Sequence, residues 1–289
     1  MSNYGRNIYL HYWMKKICCG LVLFLHCALL CAQPQAFIDS LKKDIDHFQA
    51  QDSFRAKAIY KYLKANINNN TSGDLPYIQE MVKISGAIHF KYGVSRGLQM
   101  FVTYYGDRGD FTTSFLYADT LATLFKSDTS YDAKRTLGIL HSNLANNYIK
   151  MAYYEKAIDN YLQAVQTFEQ LKDTGFAIQL YLNISSVYSN MADTIKPSQY
   201  TLKAVQLAEV FENEQFKIIT WLGYEADLGT LGDYKTGQAI LDKAIPLLKK
   251  FDYSAYWQSY YYLKGSFLSR QDESDKPFPF FCIHLHMLR

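Results

Sequence analysis

Proline, glycine and cysteine are all sparse in this chain, and each shortage closes off a class of fold. Six prolines and 15 glycines among 289 residues are too few for a turn-rich all-β protein, and they favour helix. Of the five cysteines, four (Cys18, Cys19, Cys27 and Cys31) crowd the N-terminus and only Cys282 lies beyond it. One remaining thiol makes no internal disulfide, so the folded part must rest on packing. No apolar run reaches the roughly 20 residues that cross a bilayer as a helix. No Ser or Cys sits in a nucleophile motif, and no glycine-rich loop follows a strand to cradle a phosphate.

What is abundant is apolar and aromatic material. Hydrophobic residues make up 49% and aromatics 16%, with 25 tyrosines, enough for a sizeable core in one elongated domain or two compact ones.

The first segment reads as a targeting signal rather than as fold. Lys15 and Lys16 precede ICCGLVLFLHCALLCA (17–32), a short apolar run that ends in small residues. Met14 serves as an alternative start, and cleavage is expected after Ala32. An acylated Cys31 fits less well, because Leu30 stands where a small residue is needed. The chain is therefore expected to be exported, to a bacterial periplasm or the medium. The alternative is a chain anchored by an uncleaved N-terminal segment. Removing 1–32 takes away Arg6, Lys15 and Lys16, so the formal charge falls from +3 to 0. A neutral mature chain carries no electrostatic footprint for nucleic acid.

Comparing the chain with itself at an offset of 40 residues aligns like with like. Tyr148, Tyr188 and Leu228 form one series, and Ala164, Ala204 and Ala244 a second. His141, Tyr181, Trp221 and Tyr261 form a third, and Leu144, Ile184 and Tyr224 a fourth. A fixed period in this range denotes a repeat architecture. Inside one period, apolar residues recur at three and four: Leu144, Tyr148 and Met151, then Ala157, Tyr161 and Ala164. The break between Lys150 and Glu155 turns the stretch into two antiparallel helices.

These residues resemble the tetratricopeptide repeat. The pattern is carried by His141, Leu144, Ala145, Tyr148, Ala152, Tyr154, Ala157, Tyr161 and Ala164, and again by Trp221, Gly232, Tyr234 and Ala244. The resemblance implies an all-α fold: a right-handed α-solenoid of stacked antiparallel helix hairpins, about five units of 40 residues. That period exceeds the family's usual 34 by about a turn and a half of helix. Leu144, Ala145, Tyr148, Ala157, Tyr161, Ala164, Tyr181, Tyr188, Ala204, Trp221, Tyr234 and Ala244 are the expected packing positions. The unit near Ile178 departs from the pattern at Pro197, which is expected to open its second helix. Pro246 is expected to kink or end the second helix of the following unit. The resemblance is specific over 138–271, moderate over 95–134 and weak over 36–94, where 54–69 and 76–91 read as helices around NNNTSGD (68–74). The expected organisation is 1–32 signal, 33–94 N-terminal helices, 95–271 repeats and 272–289 irregular. Because the tail stands where a second helix belongs, a truncated or frame-shifted product is also expected.

In this family the first helix of each pair lines the concave side, which implies a groove for a protein or peptide partner. On the matched register it carries Ser142, Asn146 and Ile149, then Leu182, Ser186 and Ser189, then Leu222, Ala226 and Gly229. A plain solvated face is the alternative. RGD (108–110) falls on a helix–helix turn, as does LGDY (231–234); the Gly supplies backbone freedom and the Asp caps the next helix, so adhesion is not inferred. Cys282, His284 and His286 alternate near the C-terminus but are too loosely placed to define a metal site. No cofactor is expected. NNTS (69–72) and NIS (183–185) match a glycosylation pattern that is common by chance. The functional expectation is a non-catalytic exported scaffold for protein or peptide partners. The alternative is the sensory region of a membrane-bound sensor kinase or regulator, joined to a membrane through the N-terminal segment or a missing C-terminal part.

The subset of this family that binds chaperone tails uses a clamp of Lys, Arg and Asn. Asn146 and Asn183 match its two Asn places, but Ser142, Ile219 and Gly223 stand where cations belong. A carboxylate-terminated chaperone tail peptide is therefore expected not to bind in a calorimetric titration. Micromolar affinity would overturn that reading.

Overall fold

A computed structural model describes residues 35–66 and 73–270 of the chain, with side chains described through residue 266. The signal segment, the 69–72 pattern, the Cys282–His286 cluster and the 272–289 tail lie outside those residues. The described part is twelve α-helices with no strand among them. None of these helices is long and apolar enough to cross a membrane. The chain divides into two compact units at Gly97 and Leu98.

The first unit holds α1 (Gln35–His47), α2 (Ser53–Asn66), α3 (Asp74–Ala87) and the start of α4 (Lys91–Asp107). Ile38, Leu41 and Ile45 recur at helical spacing on α1 and are almost wholly buried. They join a core with Ile59, Tyr62 and Leu63 of α2 and Ile78, Met81 and Ile84 of α3. Arg55 ties the α1–α2 turn by donating to the Ile45 and Phe48 carbonyls, both at 2.8 Å, and to Glu80 at 2.6 Å. The helix expected over 76–91 stops at Ala87, because His89 takes a left-handed backbone (φ 54°) and the chain turns there. Pro76 lies in the first turn of α3, where no N–H is needed for the ladder.

The second unit, an all-α solenoid, continues with α5 (Phe111–Leu124), α6 (Tyr131–Lys150), α7 (Tyr154–Gln170) and α8 (Thr174–Asn190). It ends with α9 (Lys196–Val210), α10 (Gln215–Leu231), α11 (Tyr234–Phe251) and α12 (Ser254–Arg270). Neighbours in sequence pack as antiparallel hairpins: α6 on α7, α8 on α9, α10 on α11. Each hairpin leans on the next through α7–α8, α9–α10 and α8–α10 contacts.

One turn geometry closes successive hairpins. Gly109, Ala152, Ala192 and Gly232 have φ of 77°, 59°, 58° and 79°. The carbonyls of Tyr105, Tyr148, Tyr188 and Leu228 then accept from Asp110, Tyr153, Asp193 and Asp233 backbone N–H groups at 2.8–3.1 Å. Glycine meets this demand freely, whereas the two alanines bear roughly 1–2 kcal/mol of left-handed strain each. Asp110 and Asp233 cap the following helices, accepting from Thr113 and Thr236 N–H groups, so the RGD and LGDY stretches are turns. Pro197 stands in the first turn of α9 as expected. Pro246 does not end its helix: α11 runs through it to Phe251. Pro246 lies on an exposed side of the helix, where loss of one ladder bond does not bury an unpaired group.

The joints between hairpins repeat chemically as well. Tyr181 donates to Glu169 at 2.7 Å, and Trp221 Nε1 donates to Glu209 at 2.9 Å. Lys203 lies 5.5 Å from the Tyr181 ring centre, and Lys243 lies 4.4 Å from that of Trp221 while pairing with Glu209 at 2.7 Å. Carboxylate, ring and ammonium thus come from three successive helices at each joint.

Ala164, Ala204 and Ala244 have no exposed surface, which leaves no room for a larger side chain between the helices that bury them. Ala204→Leu is expected to lower unfolding stability by about 1–3 kcal/mol in urea titration, through overpacking. Val210→Ala, at an 81% exposed position, should stay within about 0.5 kcal/mol. Equal effects would mean that the close approach is absent.

Candidate functional site

The first helix of each hairpin leaves part of one face uncovered, but the expected groove positions differ in character. Asn146, Ser186, Ser189 and Ala226 are exposed, while Ser142, Ile149, Leu182 and Gly229 are half-buried. Leu222 is only 6% exposed and packs with Ile218, Trp221 and Leu241 in the core of the third hairpin.

Two of these positions, Asn146 and Ile149, meet in a cavity of about 310 Å³ between α4 and α6. The α4 side contributes Thr103 and Asp107; α6 adds Asn143, Asn147 and Lys150. Ser142 and the positions on α8 and α10 do not line it. Thr103 and Asp107 were hidden because α4 carries only a moderate likeness to the repeat, whereas Asn143, Asn147 and Lys150 lie on α6 outside the register assigned to the groove. A visible signal was the three asparagines at 143, 146 and 147, which place a polar strip along a helix otherwise spaced for packing.

The floor is held by a relay through three helices. Asn147, 2% exposed, donates from Nδ2 to Ser114 Oγ at 2.8 Å, and Ser114 donates to the Val102 carbonyl at 2.6 Å. Gly106 makes room for it: a Cβ there would lie 2.0 Å from Asn147 Oδ1. At the rim, Lys150 pairs with Asp107. Asn146 Oδ1 accepts the Tyr161 hydroxyl proton, and Asn183 bonds the same hydroxyl from α8. Burial pushes that phenol up to about 12, with the Asn183 bond opposing, so it remains a donor at neutral pH.

The packing positions are placed as follows. Ala145, Ala157, Tyr161, Ala164, Tyr181, Ala204, Trp221 and Ala244 are buried. Leu144, Tyr148, Tyr188 and Tyr234 are half-buried. Tyr148 lies 5.4 Å from Phe115 and Tyr188 stacks 5.4 Å from Tyr200. His141 is half-buried with Nδ1 at 3.2 Å from Asn160 Oδ1, a packing environment. Among the described residues, no three His, Cys, Asp or Glu side chains come together to hold a metal.

A second polar cluster lies deeper, where α8, α9 and α10 meet. Asp227 accepts from Thr201 and from Ser185, whose Oγ lies at 3.4 Å. Burial raises its carboxyl above the ordinary value, and the two hydroxyl bonds only partly offset that.

No family model matches the chain, and no curated protein does. Its fold matches several solved structures. The apo form of RapI is 15% identical with a TM-score of 0.57, over 73% of this chain and 77% of that one. Aspartyl phosphate phosphatase F from Bacillus subtilis is 17% identical with a TM-score of 0.61, over 80% of this chain and 60% of that one. BtubC from P. vanneervenii is 12% identical with a TM-score of 0.50, over 74% and 91%. At such identity the likeness is one of fold alone. It agrees with the stacked helical hairpins, which fit a tetratricopeptide-type repeat.

The raised carboxyl of Asp227 has a testable sign. The folded state holds this proton more tightly than the unfolded chain, so stability falls as pH rises through the folded value. Asp227→Asn should remove that part of the slope and unfold later than the parent at pH 7. Urea midpoints between pH 4 and pH 7 check it, and parallel curves for parent and variant would refute it.

Proposed function

We propose that this chain is a non-catalytic, exported scaffold of tetratricopeptide type, which holds an extended peptide segment of a protein partner against the first helices of its second unit. The observation that carries this reading is the cavity between α4 and α6. It opens at two positions that the repeat register assigns to the partner-facing side, Asn146 and Ile149. Its lining is carboxamides, a hydroxyl, an aliphatic side chain and a mutually neutralised ion pair. Such groups suit a peptide, which brings hydrogen-bonding and apolar parts together. Exposed Ser186, Ser189 and Ala226 on the following first helices continue this small, polar surface.

Absence of catalysis is inferred from the side chains in the cavity. Asp107 is engaged by Lys150, and no nucleophile stands beside a base among the lining residues. The phosphatase named among the similar folds shares 17% identity, too little to carry an activity across. Export rests on the apolar segment behind Lys15 and Lys16.

Panning the full chain against a random peptide library tests the reading. Peptides should be enriched whose affinity falls at least about tenfold, or 1.4 kcal/mol, with Asn146→Lys or Ile149→Lys, in variants that circular dichroism shows to be folded even though Tyr161 loses an acceptor and the core a contact. No enrichment, or peptides indifferent to both substitutions, would remove the proposal.

A further inference from the structure

The cavity is more selective than a generic polar cleft, because the hydrogen-bonding capacity of its asparagines is already partly assigned. A carboxamide has one acceptor oxygen and one donor nitrogen, and which end faces a ligand depends on what the other end touches. Asn146 Oδ1 takes the Tyr161 hydroxyl proton, so its Nδ2 is the end left to donate. Tyr161 is 2% exposed and sits on α7 behind the cavity, where packing holds its ring. Asn147 is committed the other way: its Nδ2 donates to Ser114, and its Oδ1 is the end left to accept. Both residues line the same space. The charges at the rim, Lys150 and Asp107, are paired with each other and present no net charge.

We propose that the cavity between α4 and α6 is a carboxamide-recognition pocket, in which Asn146 donates to the carbonyl of a bound amide and Asn147 accepts its N–H. Tyr161 is the positioning residue that fixes the orientation of Asn146. A carboxylate meets one donor but sets its second oxygen against the Asn147 oxygen. An ammonium satisfies Asn147 and leaves the Asn146 donor facing a group that cannot accept. An amide alone answers both, and leaving a desolvated polar group unpaired is how such a site rejects the wrong ligand. The amide comes either from a peptide bond of the bound segment or from a Gln or Asn side chain on it. This inference rests on the peptide-binding reading, from which it takes the open face of the cavity.

Small probes test it without a known partner. Full-length chain labelled with 15N is titrated with propionamide, N-methylacetamide, propionate and propylammonium, following the side-chain NH2 signals of Asn146 and Asn147. Saturable shifts at both with either amide, and weaker ones with the two ions, support the pocket. A stronger response to propionamide points to a side-chain carboxamide, and one to N-methylacetamide points to the peptide bond. Tyr161→Phe keeps the ring and should shrink the amide-induced shift at Asn146. Asn146→Asp turns the donor into an acceptor and should exchange the propionamide response for a propylammonium one. No amide response, an equal response to propionate, or an unchanged Tyr161→Phe titration overturns the proposal. If the amides fail while library peptides still depend on Asn146, this inference alone falls. If the amides bind while no peptide is enriched, the wider peptide-binding reading falls instead.

Discussion

The close approach of paired helices at alanine is the constraint from which the rest of the second unit follows. Ala145, Ala157, Ala164, Ala204 and Ala244 have no exposed surface, and a larger side chain at any of them would push two helices apart. With the helices this near, the volume beside each alanine must be filled by flat groups. Phe168 accordingly stacks 4.6 Å from Phe176 across one joint, and Trp221 and Tyr181 occupy the same place in successive hairpins. The indole N–H and phenol O–H cannot be left unpaired there, so Glu209 and Glu169 accept them, and Lys243 and Lys203 settle over the rings. Short turns complete the arrangement. They are short enough to require a left-handed residue even where that residue is alanine.

Polar groups interrupt this packing at two places, with different consequences. The position that holds buried Val187 in α8 holds Asn147 in α6 and Asp227 in α10. Asn147 is neutral and its relay to Ser114 and the Val102 carbonyl satisfies one end at little cost, which leaves a rigid acceptor beside a cavity. Asp227 is an ionisable carboxyl that draws only on hydroxyls, so burial acts against its charged form. The first arrangement suits recognition; the second is a local weakness in the joint between two hairpins.

Much of the fold was legible along the chain because packing of similar hairpins returns the same demand every 40 residues. Ala164, Ala204 and Ala244 revealed it, and so did the turns at Ala152 and Gly232. Of the two outcomes read for Pro246, a kink or an end, the helix does not end there, since a proline on an exposed side removes one ladder bond without stopping the helix. Leu222 looked like a groove residue by register, yet it is turned into the core beside Trp221. The site was half legible. Asn146 and Ile149 came from the repeat register, whereas Thr103 and Asp107 belong to α4, whose likeness to the repeat is fainter.

By itself, then, the sequence determined what is local and periodic: helix after helix, hairpin turns at Gly109, Ala152 and Gly232, and the alanines that let neighbours touch. Helical periodicity and left-handed turn chemistry act within a few residues, which is why they can be read without a third dimension. Only the tertiary structure decided which end of Asn146 and which end of Asn147 is already bonded to a neighbour. That choice depends on Tyr161 and Ser114, brought from neighbouring helices, and hydrogen-bond orientation is set by whatever packing places within about 3 Å.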